Sequence, residues 1–327
     1  MSTLAHDTSG LPASRLGPGF GFAVVSASSF GLSGSLARGL MGAGWSAAAA
    51  VAIRILLAAA VLAVPAVLAL RGRWGLLRRN LAVVATYGLI AVAGCQLAYF
   101  NAVAHMQVGL ALLIEYTAPV AVIAWLWLRH GQRPGWLTVS GAVVAGAGLL
   151  LVLDLVSGIH LSMVGILWAL GAMVGAACYF VLSSHEDDAL PGTALAAGGL
   201  LVGGVSLLVA GSIGIVPMAA STRPIPFDGF TAPWWAPVLA LGLVTAALAY
   251  VTGIAASRRL GSRLASFAAL TEVLAALVFA WLMLGELPRG IQVVGGVLVL
   301  AGVVVVKLGE SRTARVDIDR RQALLVG

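Results

Sequence analysis

Apolar residues fall along this chain in blocks of about twenty, the length an α-helix needs to cross hydrocarbon. Ten such blocks are predicted as helices, at roughly 20–38, 47–70, 81–104, 108–128, 135–153, 162–182, 193–216, 234–256, 264–284 and 289–307. The connections between them are short and carry most of the Arg, Pro and Asp residues. The longest, "PMAASTRPIPFDGFTAP", separates the seventh and eighth blocks. The opening "MSTLAHDTSGLPASRLGPG" is polar and turn-rich. It lacks the basic start and apolar centre of a cleaved signal peptide, so the first apolar block is expected to be retained.

Composition turns this pattern into a fold class. Of the 327 residues 61% are hydrophobic and only 9% charged, against about 25% charged in ordinary globular chains. Mean hydropathy is +1.04. So few charges cannot cover a soluble surface, and the chain reads as an all-α integral membrane protein with ten transmembrane helices. Lys and Arg placement then sets orientation. With the N-terminus in the cytoplasm, the inner segments hold fifteen of them: Arg15; Arg71, Arg73, Arg78 and Arg79; Arg129 and Arg133; Arg258, Arg259 and Arg263; and Lys307, Arg312, Arg315, Arg320 and Arg321. The outer segments hold only Arg38, Arg223 and Arg289, while Arg54 lies inside the second block. Both termini are therefore expected in the cytoplasm. The net charge of +7 is accounted for by this bias and calls for no nucleic acid. The basic tail "ESRTARVDIDRRQ" reads as a solvated segment, with weak contact to anionic headgroups as the alternative. Cys95 and Cys178 both lie in apolar blocks and read as small buried hydrophobes rather than a disulfide or metal site.

The chain also repeats itself. A shift of 154 residues pairs Thr117 with Thr271, Trp127 with Trp281, Gly131 with Gly285, Pro134 with Pro288, Gly141 with Gly295 and Gly148 with Gly302. Gln132 falls opposite Glu286, and a slightly smaller shift pairs Tyr99 with Tyr250 and Ala104 with Ala255. The expected organisation is a cytoplasmic tail over 1–19, a first repeat over 20–153, a second over 162–307 and a cytoplasmic tail over 308–327. Five spans is an odd number, so the second repeat enters the membrane from the opposite side. Inverted repeats of this kind mark transporters, with the binding site near the midplane between them.

Three stretches carry a family resemblance along essentially the whole chain: "RILLAAAVL" from Arg54, "IEYTAPVAVIAWLWLRHGQRP" and "LASFAALTEVLAALVFAWLMLGELP". With them the chain resembles bacterial EamA-type members of the drug/metabolite transporter superfamily. The family's second stretch usually reads Glu-Pro before the helix and Gly-Glu after it. Here Glu272 and Gly285–Glu286 match, while Val273 replaces the proline; in the first repeat Pro119 is kept and Gln132 stands for the glutamate. The resemblance implies a ten-span carrier exporting metabolites such as amino acids, without naming the cargo.

The candidate chemistry sits inside the spans. "GLALLIEYTAPVAVIAWLWL" (109–128) carries an ionisable carboxyl in a stretch that would otherwise cross a bilayer without cost. Pro119 lacks an N–H, so the carbonyl of Glu115, four residues earlier, loses its helical partner. Glu115 then either faces a cavity with its carboxyl and carbonyl together or forms a kink bonded to a neighbouring helix. Glu272 falls opposite Ala118, one turn from Glu115, so the two acids share a face and depth in the two repeats. Such a pair suits proton coupling or an amine-bearing cargo; buried hydrogen-bond anchors are the alternative. Arg54 is a counter-charge to a glutamate or a substrate carboxylate, or it snorkels outward. Gln96, Tyr99, Asn101, Tyr116, Thr245, Tyr250 and Thr252 are further cavity-lining candidates, with helix–helix adhesion as the competing role. Trp168, Gly171, Gly175 and Tyr179 form a stripe on the sixth block, of which Trp168 and Tyr179 join the candidate site; the Gly-x-x-x-Gly pairs at 171/175 and 199/203 read as packing seams. His105, at a span end, reads as interfacial.

The competing class is an intramembrane serine hydrolase. "GLSGS" at 31–35 has the Gly-x-Ser-Gly form, which makes Ser33 a nucleophile candidate, but its general base would have to come from His105, His160 or His185 at span edges and in loops. No Walker sequence, dinucleotide fingerprint or metal-ligand cluster is present, so no cofactor is expected and ATP drive is disfavoured. The chain is expected to be a carrier, not an enzyme. Its expected partners are a small-molecule substrate, the lipid bilayer and protons, in an assembly compatible with a homodimer. A cationic drug or quaternary-amine efflux carrier is the alternative within transport.

Overall fold

The structure is a computed structural model that describes residues 13–118, 128, 135–152, 162–183, 190–253, 255, 256, 259, 271–302, 304–306, 308 and 309. Helices dominate. They are α1 (Ala13–Gly42), α2 (Ala47–Leu70), α3 (Leu81–His105), α4 (Val108–Glu115), α5 (Trp136–Val152), α6 (Met163–Ser183), α7 (Gly192–Ser212), α8 (Trp235–Gly253), α9 (Thr271–Leu284) and α10 (Gly290–Val306). A short helix, Trp74–Arg79, bridges α2 and α3. Among the described residues α1 from Pro18, α2, α3, α7 and α8 are long and apolar enough to cross a membrane; α9, α10 and the described parts of α5 and α6 are shorter and equally apolar. Residues 1–12 and 310–327 of the two tails lie outside the described residues.

The helices bury small and branched residues inward, with Leu40, Val51, Ile55, Phe100, Val103, Ile114, Leu200 and Leu241 among the core. Large apolar side chains also cover the outer faces: Val64, Leu167, Leu201 and Val297 are all more than half exposed. A water-soluble bundle would put polar residues there. Lipid is the solvent that fits.

Contacts between helices come in matched pairs. α1 packs on α8 and α9, and α6 packs on α3 and α4; α2 meets α8 as α7 meets α3. Exchanging the first five helices with the second five maps each of these contacts onto another, and it leaves the α2–α7 and α4–α9 contacts unchanged. The α5–α10 seam shows the relative direction. A Cβ on Gly141 would lie 2.7 Å from the Gly302 carbonyl, and one on Gly148 would lie 2.7 Å from the Gly295 carbonyl. Early positions of one helix thus meet late positions of the other, so these repeat-equivalent helices run antiparallel. Only glycine allows backbones this close.

Two features were not legible as apolar blocks. α3 and α8 each widen into a π-helix, over Tyr87–Gly94 and Ala240–Leu248, at corresponding places in the two halves. The long connection before α8 is not an irregular loop: Ile225–Phe227 (β1) pairs antiparallel with Phe230–Ala232 (β2). Asp228 and Gly229 make its turn, with Gly229 at φ 77°. Asp-Gly is a strong hairpin signal in sequence, so the all-α expectation needs this small correction.

Candidate functional site

Among the described residues Arg54 is the largest fully buried side chain, 2% exposed. The eighth residue of α2, it sits where small neighbours such as Ala50 and Ala58 leave room on a packed face. Its guanidinium does not snorkel. One terminal nitrogen donates to Gln96 Oε1 of α3, and the other donates to the Thr245 carbonyl at 2.9 Å. The π-helical stretch of α8 presents that carbonyl, and π-turns of this kind recur at functional sites. The Phe100 ring lies 5.5 Å from the guanidinium carbon. Among the described residues Arg54 Nε is buried without a hydrogen-bond partner. An orphaned charged donor inside a protein is costly, so its presence calls for a reason.

Two carboxyl groups act on this cation electrostatically. Glu115 ends α4, and its Oε1 accepts from the Cys95 thiol at 3.6 Å; the same thiol lies 3.4 Å from the Ala172 carbonyl of α6. Glu272, in the first turn of α9, accepts from the Tyr116 hydroxyl at 2.8 Å. Glu115, Glu272, Tyr99 and Tyr250 all lie within electrostatic reach of Arg54. Neither carboxylate bonds Arg54 directly. The group is one fixed cation and two acids, drawn from both halves of the chain.

The remaining sequence candidates divide. Gln96 and Tyr116 are direct partners of the charged groups. Tyr99 is buried beside the cluster, edge-on to Phe100, and a Cβ on Gly34 would collide with its hydroxyl. Tyr250 stands edge-on to Phe30 at 5.3 Å. Asn101 turns back to the Leu97 carbonyl of its own helix at 2.8 Å. Trp168 lines an apolar crevice of about 570 Å³ with Ile90, Leu167, Val174 and Cys95, the partner of Glu115. Pro119 and the Tyr179 side chain lie outside the described residues. Thr117 closes the turn after Glu115, its amide and hydroxyl both bonding the Ile114 carbonyl. Sequence reasoning treated Cys95 only as a buried hydrophobe. Its bond to Glu115 spans twenty residues and two helices, and no local pattern announces it. Ser33 is buried within α1, and His105 bonds the Asn101 carbonyl of its own helix rather than any serine. Among the described residues no group of His, Cys, Asp and Glu is arranged to hold a metal ion.

Comparisons with known proteins fit this architecture. The chain is 29% identical over 245 residues to the "Probable terminal-alkyne amino-acid exporter" of Streptantibioticus cattleyicolor, covering 72% of this chain and 77% of that protein. It is 27% identical over 236 residues to the "Threonine/homoserine exporter RhtA" of Salmonella typhimurium strain SL1344, covering 70% of each. A solved crystal structure shares the fold at a TM-score of 0.58 and 20% identity, over 92% of this chain and 99% of that one. The family model of EamA-like transporters matches twice, at residues 17–154 and 163–308, one copy for each half of the bundle. These matches indicate a multi-pass membrane transporter rather than an enzyme, and the chain belongs to the EamA-like transporter family.

Proposed function

We propose that this protein is a secondary carrier that exports small amino-acid-like metabolites across the cytoplasmic membrane by alternating access. In this reading the ten helices are ten spans, arranged as oppositely oriented repeats over 20–153 and 162–307, with both tails cytoplasmic. The antiparallel α5–α10 seam, the exchange-matched helix contacts and the fifteen-to-three bias of basic residues support it. The amino-acid class is supported by the names of two relatives.

The observation that carries the cargo assignment is the buried Arg54, whose Nε has no hydrogen-bond partner among the described residues, with Glu115 and Glu272 within electrostatic reach. A zwitterionic α-amino acid matches that pattern: its carboxylate goes to Arg54, and its ammonium to Glu115 or Glu272. Guanidinium suits this because its donors are planar and fixed. A permanently cationic drug would meet the same acids but would be repelled by a cation that cannot deprotonate, so zwitterions fit better than quaternary amines. Counterflow in proteoliposomes, with a panel of neutral amino acids, purines and quaternary amines, tests the reading. Neutral amino acids should exchange and quaternary amines should not. Exchange of quaternary amines without amino acids would replace this reading by the drug-efflux one.

A further inference from the structure

The Gly285–Glu286 pair, prominent in the sequence, lies outside the central cluster. α9 ends in a left-handed turn at Gly285, φ 65°, and the Glu286 amide reaches back to the Ala280 carbonyl at 3.2 Å. The hairpin braces this turn: Asp228 donates its amide to the Met283 carbonyl at 2.7 Å. From the turn the Glu286 side chain crosses to the first repeat, where Oε2 accepts from the Val108 amide at 3.0 Å. Val108 is the first residue of α4 and Glu115 is its last. Gln107 stands where a helix usually finds its own cap, yet its side chain makes no capping bond. The cap of α4 therefore comes from the other half of the chain, 178 residues away.

The opposite end of α4 is fastened to the same helix. Tyr116, the residue after Glu115, donates its hydroxyl to Glu272 in the first turn of α9 at 2.8 Å. α4 and α9 thus run antiparallel, joined at one end by Tyr116 and Glu272 and at the other by Val108 and Glu286. Between these bonds Leu277 of α9 lies so close that a Cβ on Gly109 would run into it, and Val108–Ile114 are all buried. Arg38 of α1 steadies the other side of the corner: its guanidinium bonds the Val103 and Met106 carbonyls at the end of α3, within electrostatic reach of Glu286. A helix of eight residues is two turns long, so a shift of its first turn carries its last with it. We propose that Glu286 is a positioning residue: by capping α4 from the second repeat, it sets where the Glu115 carboxyl stands in the central cluster. The proposal rests on the reading of Glu115 as a group that holds cargo. What positions α4 is the reach of an acceptor oxygen to the Val108 amide, and the charge on that oxygen is secondary.

The test sets reach against charge, and its first arm needs no cargo. With Cys178→Ser, Cys95 is the single thiol of the full chain, and its infrared S–H stretching band reports the hydrogen bond to Glu115. Glu115→Gln in that background shows which way the band moves when this bond weakens. Glu286→Gln keeps an acceptor oxygen at full reach and removes the charge. Glu286→Asp keeps the charge and falls one methylene short of Val108. Glu286→Gln should leave the Cys95 band where it stands without the substitution, and Glu286→Asp should move it in the direction that Glu115→Gln does. In counterflow, apparent affinity for the exchanged amino acid should fall about fivefold in Glu286→Asp, the worth of one helix cap, and stay within about twofold in Glu286→Gln. A band unmoved in Glu286→Asp, a band moved equally in Glu286→Gln, or equal affinities in the two variants would overturn the positioning role. A band that sorts as expected in a protein that exchanges no amino acid would instead remove the cargo reading and leave the placement of Glu115 standing.

Discussion

Arg54 and Glu115 show how much a single residue type tells. A charged side chain inside an apolar block marks a functional position because hydrocarbon penalises it, and both were visible on that ground. Which way Arg54 points was not visible, because snorkelling and burial differ only in what neighbouring helices offer. Gln96 and the Thr245 carbonyl, 42 and 191 residues away, supply the partners that keep it inside. The zwitterion reading makes two paired predictions here. Arg54→Lys keeps the charge but loses the planar fork, so apparent affinity for an amino acid should fall by about tenfold or more, the worth of a charge-assisted bond. Glu115→Gln keeps shape and hydrogen-bonding capacity and should insert normally while losing most counterflow. Dose–response counterflow checks both; wild-type affinity in Arg54→Lys would mean that the guanidinium only braces α2 against α3 and α8.

Among the elements, apolar blocks located the described helices. The fourth, predicted over 108–128, nevertheless breaks after Glu115 into a turn at Tyr116 and Thr117, and the Asp-Gly turn and the π-helical stretches escaped the pattern. A π-turn changes the backbone bonding by one residue without changing composition, so no hydropathy pattern records it. The glycines are more legible in retrospect. Gly141, Gly148, Gly295 and Gly302 were visible as repeat markers, and the structure gives their reason as backbone contact between α5 and α10. Gly148→Leu should therefore destabilise the protein by about 1–3 kcal/mol or more through overpacking. Gly146→Leu, on the same helix with nothing within 4 Å of its Cβ, should be nearly neutral. Thermal unfolding in detergent measures both, and equal effects would deny the seam its role.

For the whole molecule, the proposed topology puts the hairpin outside and the Trp74–Arg79 helix inside. Thr222→Cys should react with an impermeant maleimide added to intact cells, and Arg78→Cys only after the membrane is opened. The reverse pattern would invert the carrier. Placing the hairpin end outward from sequence was a matter of counting basic residues, since charge near span ends biases insertion whatever the tertiary packing.

Sequence by itself determined what depends on local composition and order: apolar blocks long enough for lipid, the 154-residue repeat, the family, and the presence of two acids and a base within the blocks. These follow from transfer free energies and spacing, which are properties of segments. Tertiary structure alone decided which buried polar groups meet. Tyr116 finds Glu272 across 156 residues, Cys95 finds Glu115, and Glu286 crosses from the second half to cap α4. Hydrophobicity cannot select such partners, because it is indifferent to direction; hydrogen bonds in a low-dielectric interior are not, and they exist only once the helices have packed.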